Sequence, residues 1–188
     1  MAFSVDVTND FLTPDESDIL FRKIMSNPSH FTFSKQTKTG APSKKRNKTI
    51  YGSRSTYEFE YRGKLVRTPI RPWESFPELK DIADRIASVS GQTASFNTCV
   101  IQIYTTGVVG IKPHRDKEMK PNTIIASVSL EATRTMRFEK VGERPRDFPL
   151  VAGSLCLIRP PTNNWWQHSI PVEDHVKGAR ISLIFRLF

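Results

Sequence analysis

The sequence predicts an α+β domain in which two N-terminal helices brace an antiparallel double-sheet barrel. Three observations lead there. Apolar residues recur at helical spacing only in the first half of the chain, and each such stretch opens with a cap signal. From Ala94 onward the period changes to alternating or continuous apolar runs punctuated by Gly, Pro and Asn clusters. The length, 188 residues, suits one domain with a substantial core.

Thr13, Pro14 and Glu16 form the first cap signal, with a threonine cap, a proline at the first helical position and a glutamate at the third. Ile19, Leu20, Ile24 and Met25 follow at helical spacing, and the helix is expected to end near Asn27 and Pro28. The stretch from Lys35 to Arg62 differs. It opens as a polar, lysine-rich loop and continues through Tyr57, Phe59 and Tyr61, which alternate on one face of an expected strand. Cations interleaved with aromatics suit nucleic acid, since cations engage phosphates and rings stack on bases. A mobile charged loop before a strand with a buried aromatic face fits the same residues. The second helix is expected from a capping box at Ser75 and Glu78, with Leu79, Ile82, Ala83 and Ile86 on one side and Gly91 as its stop. Strands are then expected at 96–104, 123–130, 135–140, 154–159, 167–171 and 179–187. No internal repeat is present.

The formal net charge of +9 and pI near 9.8 point to an anionic partner, nucleic acid being the commonest for a small basic domain, although a basic soluble surface alone would give the same numbers. Cys99 and Cys156 each fall inside an apolar run and read as small buried hydrophobes in a reducing compartment. No stretch reaches the length needed to span a bilayer, and the first residues lack the pattern of a secretory signal, so an intracellular protein is expected.

His114 and Asp116 are two apart, and on a strand end they would present an imidazole and a carboxylate in one direction. With a remote histidine such as His168 they match the facial triad, in which three protein ligands leave the other metal positions free. For an arbitrary His-x-Asp, an exposed loop pair is the commoner outcome. The C-terminal strand shifts the balance. Arg180, Ser182, Ile184 and Arg186 share one face, while Ile181, Leu183, Phe185 and Leu187 form the other. Two arginines on the inner face of such a strand are costly unless they meet an anion, and a dicarboxylate would serve both; pairing with Asp or Glu of the same domain is the alternative. Arginine's planar fork suits a carboxylate.

Several segments together resemble the AlkB family of iron(II)- and 2-oxoglutarate-dependent nucleic-acid dealkylases. They are 96–104, His114–Glu118, Ile125–Ser129, Gly153–Leu155, Pro161–Asn163, Trp166–Val172 and Arg180–Arg186, and the likeness runs from about Lys45 to the end, nearest to the second and third human AlkB homologues. The resemblance implies a double-stranded β-helix (jelly-roll) core with N-terminal supporting helices, in a single domain over residues 1–188 whose residues 35–62 form a nucleotide-recognition lid. It implies that His114, Asp116 and His168 bind Fe(II), that Arg180 holds the distal carboxylate of 2-oxoglutarate, and that Arg186 lies near its metal-chelating end. Tyr104 would contact the cosubstrate, as would Gln102 in place of a familial asparagine, with Ser182 and Ile184 replacing an asparagine and a threonine between the two arginines.

For the substrate, the resemblance implies Tyr57 and Phe59 as lid aromatics, Glu118 near the bound base, and Lys45 or Arg46 as a lid cation. Lys117 stands where close relatives are acidic, and its cation would repel a positively charged methylated base if it pointed inward. Trp165 and Trp166 are expected in the core or pocket wall. The implied reaction is oxidative demethylation of 1-methyladenine and 3-methylcytosine type lesions, consuming O2 and 2-oxoglutarate and releasing succinate, carbon dioxide and formaldehyde. The implied partner is nucleic acid, DNA favoured over RNA, for a monomer not bound to membrane and nuclear in a eukaryote. Two other readings are a 2-oxoglutarate oxygenase acting on protein, and a nucleic-acid-binding module with weakened catalysis.

Overall fold

The computed structural model describes residues 2–31, 46–61 and 63–188. Lys45 and most of the lysine-rich loop lie outside the described residues. The first half of the chain holds β1 (Val5–Thr8), α1 (Pro14–Met25), β2 (Asn47–Gly52), β3 (Thr56–Tyr61), β4 (Lys64–Pro69), β5 (Arg71–Pro72) and α2 (Pro77–Ser90). The second half holds β6 (Thr98–Tyr104), β7 (Ile111–His114), β8 (Ile125–Glu131), β9 (Arg134–Glu139), β10 (Arg146–Leu150), β11 (Leu155–Ile158), the short helix α3 (Thr162–Trp165), β12 (Gln167–Ile170) and β13 (Arg180–Arg186).

The α1 cap forms as the sequence predicts. Thr13 Oγ1 accepts the Glu16 N–H at 3.2 Å, and Glu16 accepts the Thr13 N–H at 2.8 Å. The helix ends at Met25, two residues short of the expected Asn27–Pro28 stop, and Pro28–His30 form a separate 3-10 turn. The expected Ser75 capping box is absent. Ser75 closes a 3-10 turn, its hydroxyl donates to the Pro72 carbonyl at 2.7 Å, and Phe76 becomes the cap because Pro77 starts α2. Glu78, freed from capping, meets Lys23 at 2.5 Å and ties α2 to α1. Gly91 ends α2 in the left-handed region, φ 72°, where glycine carries no penalty.

Two sheets dominate. The larger has the order β1-β11-β8-β13-β6-β2-β5, and the smaller β10-β9-β12-β7; β3 and β4 form a separate ribbon. β13 lies centrally, antiparallel to both β6 and β8. Its alternation sorts the molecule. Ile181, Leu183 and Phe185 face outward with Ile101, Ile103, Val128 and Leu130, and pack under Leu20 and Ile24 of α1 and Leu79, Ile82 and Ile86 of α2. Each such aliphatic side chain contributes about 1.5–3 kcal/mol on burial. The opposite face of the same sheet looks toward the smaller sheet, where Tyr104, Ile125 and Ile158 meet Met136, Phe138 and Ile170. The result is the jelly-roll arrangement, with the helices outside and a cavity between the sheets. Cys99 and Cys156 are free and fully buried, as expected for small apolar fillers.

Candidate metal centre

His114 ends β7 and His168 lies opposite it in β12, so the ladder alone brings the two imidazoles together, with ring centroids 4.4 Å apart. Asp116 lies two residues past the end of β7, so strand alternation does not place it, contrary to the strand-end expectation. It is nonetheless buried, and one potential ligand atom from each of His114, Asp116 and His168 lies within 4.8 Å of the others. The His114 Nδ1–H donates to the Lys112 carbonyl at 2.9 Å, which leaves Nε2, 3.7 Å from Asp116 Oδ1, as the lone-pair donor. Burial pushes the His168 pKa down to about 4, with the His114 and Arg186 neighbours reinforcing it and Asp116 opposing it. His168 is therefore a neutral imidazole at ordinary pH, and its buried Nδ1 has no hydrogen-bond partner. Two imidazoles and a carboxylate fit a divalent first-row metal such as Fe(II).

The cavity between the sheets is lined by Gln102, Tyr104, Ser127, Ser182, Ile184 and Arg186 from the larger sheet and by His114 and His168 from the smaller. Arg180 is not among the lining residues; it is 1% exposed, with its guanidinium 5.4 Å from the ring centroid of Tyr104, which does line the cavity. One Arg180 nitrogen donates to Ser129 Oγ at 2.9 Å, while Nε and Nη1 are buried without partners. Among the described residues Arg180 forms no ion pair, and burial lowers its pKa from the usual value. A buried cation with unmet donors fits a carboxylate ligand. Arg186 takes the alternative the sequence left open: it pairs with Asp116 Oδ2 at 2.7 Å, an acid of the same domain, and lines the cavity with His114 and His168. Tyr104 donates its hydroxyl to Gln102 Oε1 at 2.9 Å, so these two cavity groups are already coupled. Ser127 and Ser182 share a 2.9 Å hydrogen bond.

A model of the 2OG-Fe(II) oxygenase superfamily matches residues 4–186. Mouse DNA oxidative demethylase ALKBH2 is 36% identical over 186 residues, spanning 91% of this chain and 74% of the mouse protein. The chain belongs to the AlkB-type 2OG-Fe(II) oxygenases. The human ALKBH2 protein is 37% identical over 75% of this chain, and human alkB homolog 3 is 33% identical over 65%. The matched region spans 56% and 46% of those two proteins. The OsALKBH1 structure covers 100% of the chain with a TM-score of 0.66 at 15% identity, and a Pseudomonas putida prolyl-4-hydroxylase does so with 0.58 at 15%. At that identity the two structures speak for the fold alone.

This AlkB-type oxygenase carries a second concavity beside the metal cluster, lined by Arg54, Thr56, Tyr57, Glu58, Ile70, Glu118 and Phe188. Tyr57 and Glu118 thus come together as expected. The Phe188 ring centroid lies 4.6 Å from that of Tyr57, with the two planes tilted by 46°. Burial raises the Tyr57 pKa, and Glu118 adds to the effect. Phe59 falls in β3, placed there by its backbone. Arg46 donates to the Gly110 carbonyl at 3.2 Å, which ties the entry of β2 to the approach to His114. Gly110 is needed there for close approach rather than for a turn, since a Cβ would sit 2.6 Å from the Ile170 carbonyl oxygen.

Lys117 does not share the Tyr57 concavity. It lines a separate cleft with Arg115, Asp116, Lys120 and Asn122. The cation the sequence did not single out is Lys48. It pairs in register with Gln102, so the two side chains share a face, and it is the one exposed residue of β2. Desolvation of its ammonium group lowers the Lys48 pKa, as do Arg186 and Arg46, while Glu118 and Asp116 oppose the shift. Its signal in the sequence was nil, because Lys44 to Lys48 read as one basic run. Ser127 and Ser129 were legible as polar residues two apart in an apolar strand. Trp166 is core, 2% exposed, as expected, but Trp165 is 45% exposed and is no wall residue, because it ends α3 on the outside.

Proposed function

We propose that this chain oxidatively removes alkyl groups from ring nitrogens of nucleic-acid bases, of the 1-methyladenine and 3-methylcytosine type, with DNA favoured over RNA. The observation that carries the reading is the adjacency of three features: a His-Asp-His cluster, a buried arginine with unmet donors, and an aromatic-acidic concavity two residues from Asp116. The names of the mouse and human relatives, DNA oxidative demethylases, support the substrate class.

In this reading His114, Asp116 and His168 hold Fe(II). Arg180, with Gln102 and Tyr104 nearby, receives the distal carboxylate of 2-oxoglutarate, while Ser182 and Ile184 line its length. Arg186 orients the Asp116 carboxylate, at the end of the cavity nearest the metal. Bound there with 2-oxoglutarate and O2, iron supplies the oxidising chemistry, yielding succinate and carbon dioxide and a hydroxylated N-alkyl carbon that leaves as formaldehyde. Tyr57 and Phe188 offer ring faces to a base taken out of its stack, Phe59 serves as a further lid aromatic, and Glu118 offers an acceptor for its exocyclic amine. Arg46 and Lys45 serve as lid cations, and Lys117, with Arg115 and Lys120, meets phosphates rather than the base. The whole operates as a monomeric single domain. No helix among the described residues is long and apolar enough to cross a membrane.

The test is mass spectrometry of methylated DNA and RNA oligonucleotides incubated with the protein, iron(II), ascorbate and 2-oxoglutarate. Mass loss of one methyl group from 1-methyladenine or 3-methylcytosine, with formaldehyde, is expected, and it should vanish in His114→Ala without loss of folding. No demethylation of any oligonucleotide would refute the reading.

A further inference from the structure

Asp116 is the ligand that the sheet does not hold. It lies beyond β7, in a segment without ladder partners, yet its backbone is gripped at both ends by one side chain. The Asp116 N–H donates to Asn163 Oδ1 at 3.0 Å, and Asn163 Nδ2 donates to the Asp116 carbonyl at 2.7 Å. An amide is the only side-chain group that offers an acceptor and a donor at this spacing, so it mimics a strand neighbour for a residue that has none. The grip is also anchored. Asn163 belongs to α3, whose first residue, Thr162, is fully buried and exchanges two hydrogen bonds with the Ser4 backbone, at 2.8 and 3.1 Å. A second tie runs alongside, from Arg115 Nη1 to the Asn164 carbonyl at 2.7 Å. Five residues further on, the same segment delivers His168.

We infer that Asn163 is a positioning residue for the metal centre: it fixes the Asp116 backbone so that the carboxylate faces His114 and His168, while the Arg186 guanidinium fixes the carboxylate itself. One segment, 161–168, thereby supplies one ligand directly and orients a second. Partners that orient metal ligands typically set affinity by tenfold to a hundredfold. The inference rests on the three-residue metal centre and not on the choice of substrate.

The experiment titrates the full chain with Mn(II) alone, a redox-stable probe for the site, following free Mn(II) by electron paramagnetic resonance. Wild type, Asn163→Ala, Asn163→Asp, Asn163→Gln and Asp116→Ala are compared, with urea unfolding of each metal-free protein alongside. Asn163→Asp keeps shape and acceptor but loses the donor, so it decides the matter if the alanine variant unfolds. Alanine and aspartate variants should bind Mn(II) about tenfold to a hundredfold more weakly. Glutamine, which keeps both groups on a longer arm, should recover part of that loss. A structural role alone would lower the urea midpoint and leave the affinity of the folded protein unchanged; affinity within twofold of wild type in Asn163→Asp overturns the inference. Equal Mn(II) binding by wild type and Asp116→Ala would instead sink the metal centre, and the inference with it.

Discussion

Arg180 and Arg186 occupy the same face of β13 but opposite electrostatic situations, and the difference governs what each can do. Arg186 shares its charge with Asp116 at 2.7 Å, so its charge is already paired before any ligand arrives, although its Nε is buried without a partner. Arg180 is buried with two unmet nitrogens and one serine contact, so most of its interaction energy is released only when an anion reaches it. Arg180→Ala should therefore raise the KM for 2-oxoglutarate at least tenfold, about 1.4 kcal/mol, in steady-state decarboxylation assays. An unchanged KM would remove Arg180 as the anchor. The residue types of the site were legible because a charged residue in an apolar strand demands a partner. Which partner each arginine has was not legible, since Asp116 reaches Arg186 only through the fold.

At the scale of elements, two buried polar hubs hold the scaffold of the site. Arg134, at the start of β9, is 1% exposed and pairs with Glu173 at 2.8 Å. It also donates to the carbonyls of Val109 and Pro171, so it ties the approach to β7 to the exit from β12. Arg134→Ala leaves these acceptors and Glu173 unmatched, and should cost about 3–5 kcal/mol in urea denaturation. The second hub is His30, which packs beneath α1. Its Nδ1–H donates to the Ile24 carbonyl at 2.9 Å, and Nε2 accepts from the Tyr51 hydroxyl at 2.8 Å. Burial lowers its pKa below the usual 6.5, with Arg71 adding to the shift and the Ile24 bond opposing it.

The unfolded chain then binds the His30 proton more readily than the folded one, so the sign is fixed: this contribution to stability is complete above pH 6.5 and is lost as pH falls below it, toward the lower folded-state pKa. His30→Gln should flatten that part of the pH dependence of the urea midpoint between pH 7 and 5, and an identical slope in both proteins would exclude the histidine. The α1 cap and the strand runs were readable from local pattern. The Ser75 cap was misread because a 3-10 turn, stabilised by packing of Trp73, claimed the serine first.

At the scale of the molecule, the basic side chains among the described residues line more than one cleft, with Arg115, Lys117 and Lys120 in one and Arg54 in another. Lys117 and Lys120 line a cleft apart from the Tyr57 concavity, and on the proposed reading their charges act on a phosphate backbone and not on the base. Replacing both with Gln should weaken oligonucleotide binding and reduce the slope of log K against log salt by about 0.9 per lysine for duplex DNA or 0.7 for single strands. A slope equal to wild type would place the bound strand elsewhere.

Taken by itself, the sequence determined the class of domain, the candidate metal-ligand residue types and the arginine-bearing strand. These are carried by local signals: caps, a period of two, and charges where apolar residues belong. Only the tertiary structure decided how the pieces are aimed. It set Lys117 away from the aromatic concavity and Lys48 onto the same face as Gln102. It also gave Asp116 a backbone partner 47 residues away in Asn163. The physical reason is that direction depends on register and on hydrogen bonds between distant segments, and neither is written in the spacing of neighbours along the chain.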